Sequence, residues 1–405
     1  MADETSGRAV SRRAVIVAAA ASVGLAACSR SEPGGQRAGP LPFGELPPAE
    51  PSTSRVSFPP SSSYRNLPTE SPSPNITSIA PDRIAVPTPS TRTATSTPAR
   101  NHALVDPARV RANELGVIPV MMYHQIKPKI TGPYETTPRD FRAGLQRMFR
   151  AGYRPVRAID LARGQLDVPA GYSPVVLTFD DGYANQLRLQ PDGTVDPSCA
   201  VGILLDVCRQ FPNCPPAATF NINKNPFGRD DAESQAAALT VLHRLGFEIG
   251  NHTYGHDNLA KMSVTGIERD FVLLQRLVFA AVPGLAVRTM ALPYGSMPRS
   301  PRAASVLPRG SWAGDRYVND ATFLAGANPS LSPFASGFDP QRVPRILSTS
   351  WRGGRLPQTL LYWLDYLAAH PGERYVSGGR PGHVTVPAQL RPHVARSYAD
   401  HVVTY

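Results

Sequence analysis

Cysteine is scarce in this chain, with four residues in 405, too few for a metal–thiolate scaffold. No basic run with interleaved aromatics is present despite a formal net charge of +11, so the pattern of a nucleic-acid-binding segment is missing and no nucleic-acid partner is expected. No Gly-x-Ser-x-Gly elbow occurs, which argues against a serine esterase, and no internal repeat is visible. The uncharged stretch Ala14 to Ala27 is too short for a comfortable membrane span.

What is present divides the chain. Ser11-Arg12-Arg13 followed by small and apolar residues up to Leu25-Ala26-Ala27-Cys28 predicts a signal peptide over 1–27. The Leu-Ala-Ala-Cys ending resembles a bacterial lipobox, which implies cleavage before Cys28 and lipidation of its thiol; the paired arginines resemble a twin-arginine signal, and an ordinary export signal with a chance cysteine is the alternative. Across 28–102 about a fifth of the residues are proline, against a usual ~5%. The rest is largely Ser, Thr, Gly and scattered charge, so this segment reads as a disordered tether. Residues 103–405, with a core over about 110–350, form the folded domain.

Within that domain short apolar strands alternate with helical stretches. Strands are expected at Val117–Met122, Val175 onward, Ala217–Ile222, Phe247–Gly250 and Ala286–Leu292, and helices at Arg139–Ala151, from Ala158, and at Ala200–Gln210, Ser234–Leu245 and Val264–Phe279. Alternation of this kind implies a parallel α/β architecture, and about 300 residues fit one distorted (β/α) barrel of the TIM-like type, with its functional groups just past the strand ends.

The run Val175-Val176-Leu177-Thr178-Phe179-Asp180-Asp181-Gly182 delivers two adjacent carboxylates to the rim of a buried strand. Neighbours on a regular strand face opposite ways, so the pair can share one site only if the strand ends there and the chain turns. After a second strand comes Asn251-His252-Thr253-Tyr254-Gly255-His256. One carboxylate and two imidazoles four residues apart form a plausible divalent-metal set, leaving the other carboxylate free as a base.

These two motifs, followed in order by Leu292-Pro293-Tyr294-Gly295, resemble the NodB-homology polysaccharide deacetylases, carbohydrate esterase family four. The resemblance covers about 110–350. It implies a barrel holding one divalent ion, commonly zinc, through Asp181, His252 and His256, with Asp180 as catalytic base and the peptide N–H of Tyr294 donating to the oxyanion. The reaction it implies is hydrolytic removal of acetyl from an N-acetylated, or else O-acetylated, polysaccharide.

Two positions depart from that pattern. The third motif commonly starts with an Arg two residues before Pro, but Ala291 stands there; Arg345, in Val343-Pro344-Arg345-Ile346, either replaces it from another strand or forms an ordinary surface salt bridge. The late Leu-x-His motif is missing, and His383, His393 and His401 lie in polar or tail-like contexts. Pro119-Val120-Met121-Met122-Tyr123-His124 instead resembles the permuted poly-N-acetylglucosamine de-N-acetylase branch, in which an early Tyr-His supplies the general acid. His124 is either that acid, its ring then expected on the side of the site away from Asp180, or a core histidine at the rim.

Three cysteines remain besides Cys28. Cys199 and Cys208 would lie about 13 Å apart along the expected helix, so Cys208 pairs with Cys214, or all three serve as reduced core residues. The expected protein is a monomeric, zinc-dependent deacetylase acting on an N-acetylated envelope polysaccharide, held to the extracytoplasmic face of the cell membrane by a lipid on Cys28. The competing expectation is a catalytically silent carbohydrate-binding lipoprotein with the same fold.

Overall fold

The computed structural model describes residues 105–353 and 358–405. The signal peptide expected over 1–27, the lipidated Cys28 and the tether over 28–102 lie outside the described residues.

Eight strands form one parallel sheet: β1 (Val120–Tyr123), β2 (Tyr153–Val156), β3 (Ser173–Asp180), β4 (Thr219–Ile222), β5 (Glu248–Asn251), β6 (Thr289–Ala291), β7 (Ala321–Phe323) and β8 (Ile346–Leu347). Their order is β7-β6-β5-β4-β3-β1-β8, with β2 on the first half of β3. Between them run α1 (Pro138–Arg150), α2 (Ala158–Ala162), α3 (Ala200–Arg209), α4 (Ala232–Arg244) and α5 (Val264–Ala281), with α6 (Leu360–Ala369) after β8. The strands and helices expected from apolar periodicity are all present, with ends shifted by a few residues. The expected (β/α) barrel appears as a curled sheet whose two edges meet. Val343 exchanges hydrogen bonds with β7, Leu324 N to Val343 O at 2.8 Å and Val343 N to Thr322 O at 3.0 Å. Three residues later Ile346 and Leu347 pair with Met121 and Met122 of β1.

Alternation along β3 decides what faces where. Leu177 and Phe179 point out under the helices, where Phe179 stacks between Tyr123 (5.2 Å) and Phe220 (4.7 Å) and packs with residues of α1, α3 and α4. Each such ring removed from water contributes about 1.5–3 kcal/mol. Thr178 and Asp180 point to the interior, paired in register with Thr219 and Asn221 of β4. The capping residues agree with this layout: Thr137 accepts from Asp140 N at the start of α1 and Ser263 from Gly266 N at the start of α5.

Cys199, Cys208 and Cys214 are buried free thiols. The Sγ atoms of Cys208 and Cys214 lie 3.4 Å apart, so the neighbours expected from spacing do meet, without a covalent bond. Among the described residues no helix is long and apolar enough to cross a membrane.

Candidate metal and catalytic site

The site sits where β1, β3, β5 and β6 end. Strand β3 stops at Asp180, and the next two residues take left-handed backbone, Asp181 at φ 73° and Gly182 at φ 64°. This turn brings both carboxylates to one mouth. Thr253 (φ 61°), His256 (φ 55°) and Tyr294 (φ 59°) are strained in the same way, a cost of order 1–3 kcal/mol each that the surrounding structure must hold in place. The two histidines therefore share the site through a loop and not through one helical turn. That loop is pinned by Asp270 of α5, whose carboxylate accepts from Tyr254 N (2.6 Å) and Gly255 N (3.0 Å), while Asn251 Oδ1 accepts from Thr253 N (2.7 Å).

Ligand atoms of Asp181, His252 and His256 all lie within 4.8 Å of one another. Asp181 Oδ1 is 3.3 Å from His252 Nε2 and 3.0 Å from His256 Nε2. His252 Nδ1 is 2.9 Å from the carbonyl oxygen of Ala291. A carbonyl only accepts, so Nδ1 carries the proton, and in the neutral ring Nε2 is left as a bare lone pair. It then faces a carboxylate oxygen that is buried and has no hydrogen-bond partner. Two acceptors facing each other at this distance call for a cation between them, so the donor set fits a divalent ion.

Asp180 is held differently. Arg345, 1% exposed, makes a two-pronged contact from Nη1 to Oδ1 and Nη2 to Oδ2, both 2.8 Å, and also donates to Thr178 Oγ1 (3.0 Å) and Leu324 O (2.8 Å). Asn221 Nδ2 adds a third donor to Oδ1 at 2.8 Å. Gly250 makes room for that amide, because a Cβ there would sit 2.2 Å from Asn221 Oδ1. Burial pushes the Asp180 pKa up, and the Arg345 charge overrides it and holds the carboxyl well below the usual range. The arginine missing from position 291 is thus matched by one from the closing segment of the barrel. Arg288 pairs with Asp320 at 2.7 Å instead.

His124 ends β1, and because β1 pairs directly with β3 (Tyr123 with Phe179) it sits beside Asp180, its Nε2 3.9 Å from Asp180 Oδ2. The expected placement away from Asp180 is therefore corrected: residues past the ends of paired strands are neighbours. Burial depresses the His124 pKa against the opposing pull of Asp180 and Asp181. Gln186 Nε2 ties the two strand ends together, donating to His124 O (2.8 Å) and Asp180 O (2.6 Å). Tyr294, 67% exposed, lies at the rim with its ring 4.9 Å from that of His256. His383 and His401 are exposed and face each other at 6.2 Å. Sequence reasoning missed Asn221, Gln186 and Asp270. Only the strand register could have indicated Asn221, and no local motif marks the other two.

A curled parallel α/β sheet with an Asp-His-His cluster at its strand ends and an arginine-held aspartate beside it defines a class of metal-site barrel. Residues 167–306 match the polysaccharide deacetylase family, in line with the resemblance to the NodB-homology group of carbohydrate esterase family four. The matched range contains Asp180, Asp181, His252, His256 and Tyr294 but neither His124 nor Arg345. The chain is 28% identical over 120 residues to a chitin deacetylase of Arthroderma benhamiae, a match spanning 30% of this chain and 27% of that relative. Among solved structures it is similar to a polysaccharide deacetylase from Bacillus cereus, with 15% identity, 62% of this chain and 68% of that one covered, and a TM-score of 0.45. It is also similar to IcaB from Ammonifex degensii, with 21% identity, 58% and 93% covered, and a TM-score of 0.41.

Proposed function

We propose that this domain is a hydrolase that removes acetyl from an N-acetylated polysaccharide of the cell envelope, with O-acetyl esters as the second substrate class. The observation that carries this reading is the convergence of Asp181, His252 and His256 beside the Asp180–Arg345 pair. A divalent ion held by the three ligands, zinc by the chemistry of two imidazoles and one carboxylate, would supply Lewis acidity toward the acyl group and toward water. Asp180, kept ionised by Arg345, takes the proton of the attacking water. His124, its Nε2 3.9 Å from Asp180 Oδ2, passes a proton to the departing amine nitrogen. The peptide N–H of Tyr294 at the rim donates to the developing oxyanion. Arg345 orients Asp180 and does not touch substrate.

The permuted poly-N-acetylglucosamine de-N-acetylase branch is the subfamily this reading favours, because both His124 and the relocated arginine agree with it. The competing reading, a silent binder, drew on the missing arginine at 291, and Arg345 at Asp180 weighs against it. We further propose a monomer held to the extracytoplasmic membrane face by a lipid on Cys28.

The test is acetate release by the purified protein from peptidoglycan, poly-N-acetylglucosamine, chitin oligomers and acetylated xylan, before and after chelation and zinc return. Chelator-sensitive release from an amino-sugar polymer is expected. Binding without any release would favour the silent binder. For the anchor, Cys28→Ser should move the protein from membrane to soluble fraction; unchanged attachment would overturn it.

A further inference from the structure

Tyr134 has no part in the machinery above, yet it stands at the mouth. Its ring lies 4.8 Å from that of His124, tilted by 50°, and the residue remains 53% exposed. The loop beneath it is built to keep it there. Tyr134 O accepts from Gln125 N (3.2 Å), and Lys127 N donates to Thr136 O (3.0 Å). Between these, the buried Glu135 gathers Lys127 Nζ (2.5 Å), Thr131 Oγ1 (2.9 Å) and Gly132 N (3.0 Å). A half-exposed aromatic face left in water forgoes burial of apolar area, and these contacts hold the backbone that carries the ring at the mouth. On the other flank, Tyr294 leans on His256. The mouth is therefore bordered by one open aromatic ring on the His124 side and another on the metal side.

We infer that Tyr134 is a specificity-determining residue that stacks on the apolar C–H face of a pyranose ring adjoining the one that loses acetyl, so that the substrate is a chain of at least two sugars. This rests on the deacetylase reading for the reaction, but the stacking itself needs only a sugar chain lying across the mouth. A pyranose with equatorial substituents presents axial C–H bonds on a flat face, which suits an aromatic ring with its hydroxyl in water. Lys127 is engaged by Glu135, so the surface offered beside the ring suits a neutral sugar.

The test compares Tyr134→Ala, Tyr134→Phe and Tyr134→Trp. Binding of the N-acetylglucosamine pentamer is measured by calorimetry on metal-stripped protein, and turnover of the pentamer and of 4-nitrophenyl acetate on zinc-loaded protein. Zinc binding serves as the check on folding. The Ala variant should weaken pentamer binding about 10-fold, the scale of a lost aromatic anchor. It should raise KM for the pentamer by a similar factor and leave kcat and 4-nitrophenyl acetate turnover within about 2-fold; Phe and Trp should restore binding. Unchanged pentamer binding in the Ala variant overturns the inference, as does an equal fall in kcat on both substrates, which would mean that Tyr134 acts through His124. If the wild type binds the pentamer through Tyr134 but releases no acetate from any polymer, the deacetylase reading fails and the stacking role stands.

Discussion

Two acids of one barrel have opposite fates. At the mouth, Asp180 lies against Arg345 and Asn221 and is held ionised. At the floor, Glu248 opens β5 and is partly buried, and it meets the hydroxyls of Thr219 (2.7 Å) and Thr289 (2.6 Å) and the Ile159 N–H (2.9 Å). Burial pushes its pKa up, and these donors reverse only part of that. Desolvation acts on both. What separates the two is a guanidinium hydrogen-bonded to Asp180, where Glu248 has only hydroxyl and peptide donors.

The sharpest way to break this comparison is to take the guanidinium away. Arg345→Met should cost about 3–5 kcal/mol of stability, because it strands a buried carboxylate. Chemical denaturation measures it, and a loss below about 1 kcal/mol would show that Asp180 does not depend on the pair. Asp180→Asn keeps the shape and should lower acetate release by about 10²–10⁴-fold while zinc still binds in a calorimetric titration; near-normal release would remove Asp180 as the base. His124→Ala should cost about 100-fold in turnover with zinc affinity unchanged, and a small effect would send the search for the proton donor elsewhere.

The smallest change is expected at the floor, where Glu248→Gln should shift stability at pH 5 by no more than about 1 kcal/mol, the scale of one hydrogen bond. Here pH gives the two ends opposite signs. The folded pKa of Glu248 is raised above its ordinary 4.5, so its contribution is complete below that value and is lost as pH rises through the folded pKa. That of Asp180 is depressed below its ordinary 3.8, so its contribution is present above 3.8 and is lost on acidification. Wild type minus Glu248→Gln, followed by thermal unfolding across pH, should fall with rising pH; a flat or rising difference would contradict the contrast.

Much of the mouth was legible beforehand because the chemistry there is local. Asp180-Asp181-Gly182 and the His252 to His256 loop carry their ligand sets within a few residues, and apolar alternation located the strands that end in them. Asn221 was hidden because its role depends on register between β3 and β4. Arg345 could be named only as one of two options, since nothing in the sequence says which strand, 165 residues further on, will close the sheet beside Asp180. The placement of His124 was misread for the same reason: which strand neighbours β3 on its open side is a fact of topology, and here that strand is β1.

The closing segment also sets an order of assembly. Asp180 and its guanidinium are separated by 165 residues, so at usual synthesis rates of ~5–20 residues per second the carboxylate exists for roughly 10–30 s before its partner is made. A chain cut short before residue 345 contains every residue of the Asp-His-His cluster and still lacks the guanidinium that holds Asp180 ionised. The ion pair at the mouth is thus coupled to the closing segment: residue 345 must be made before a guanidinium can meet Asp180.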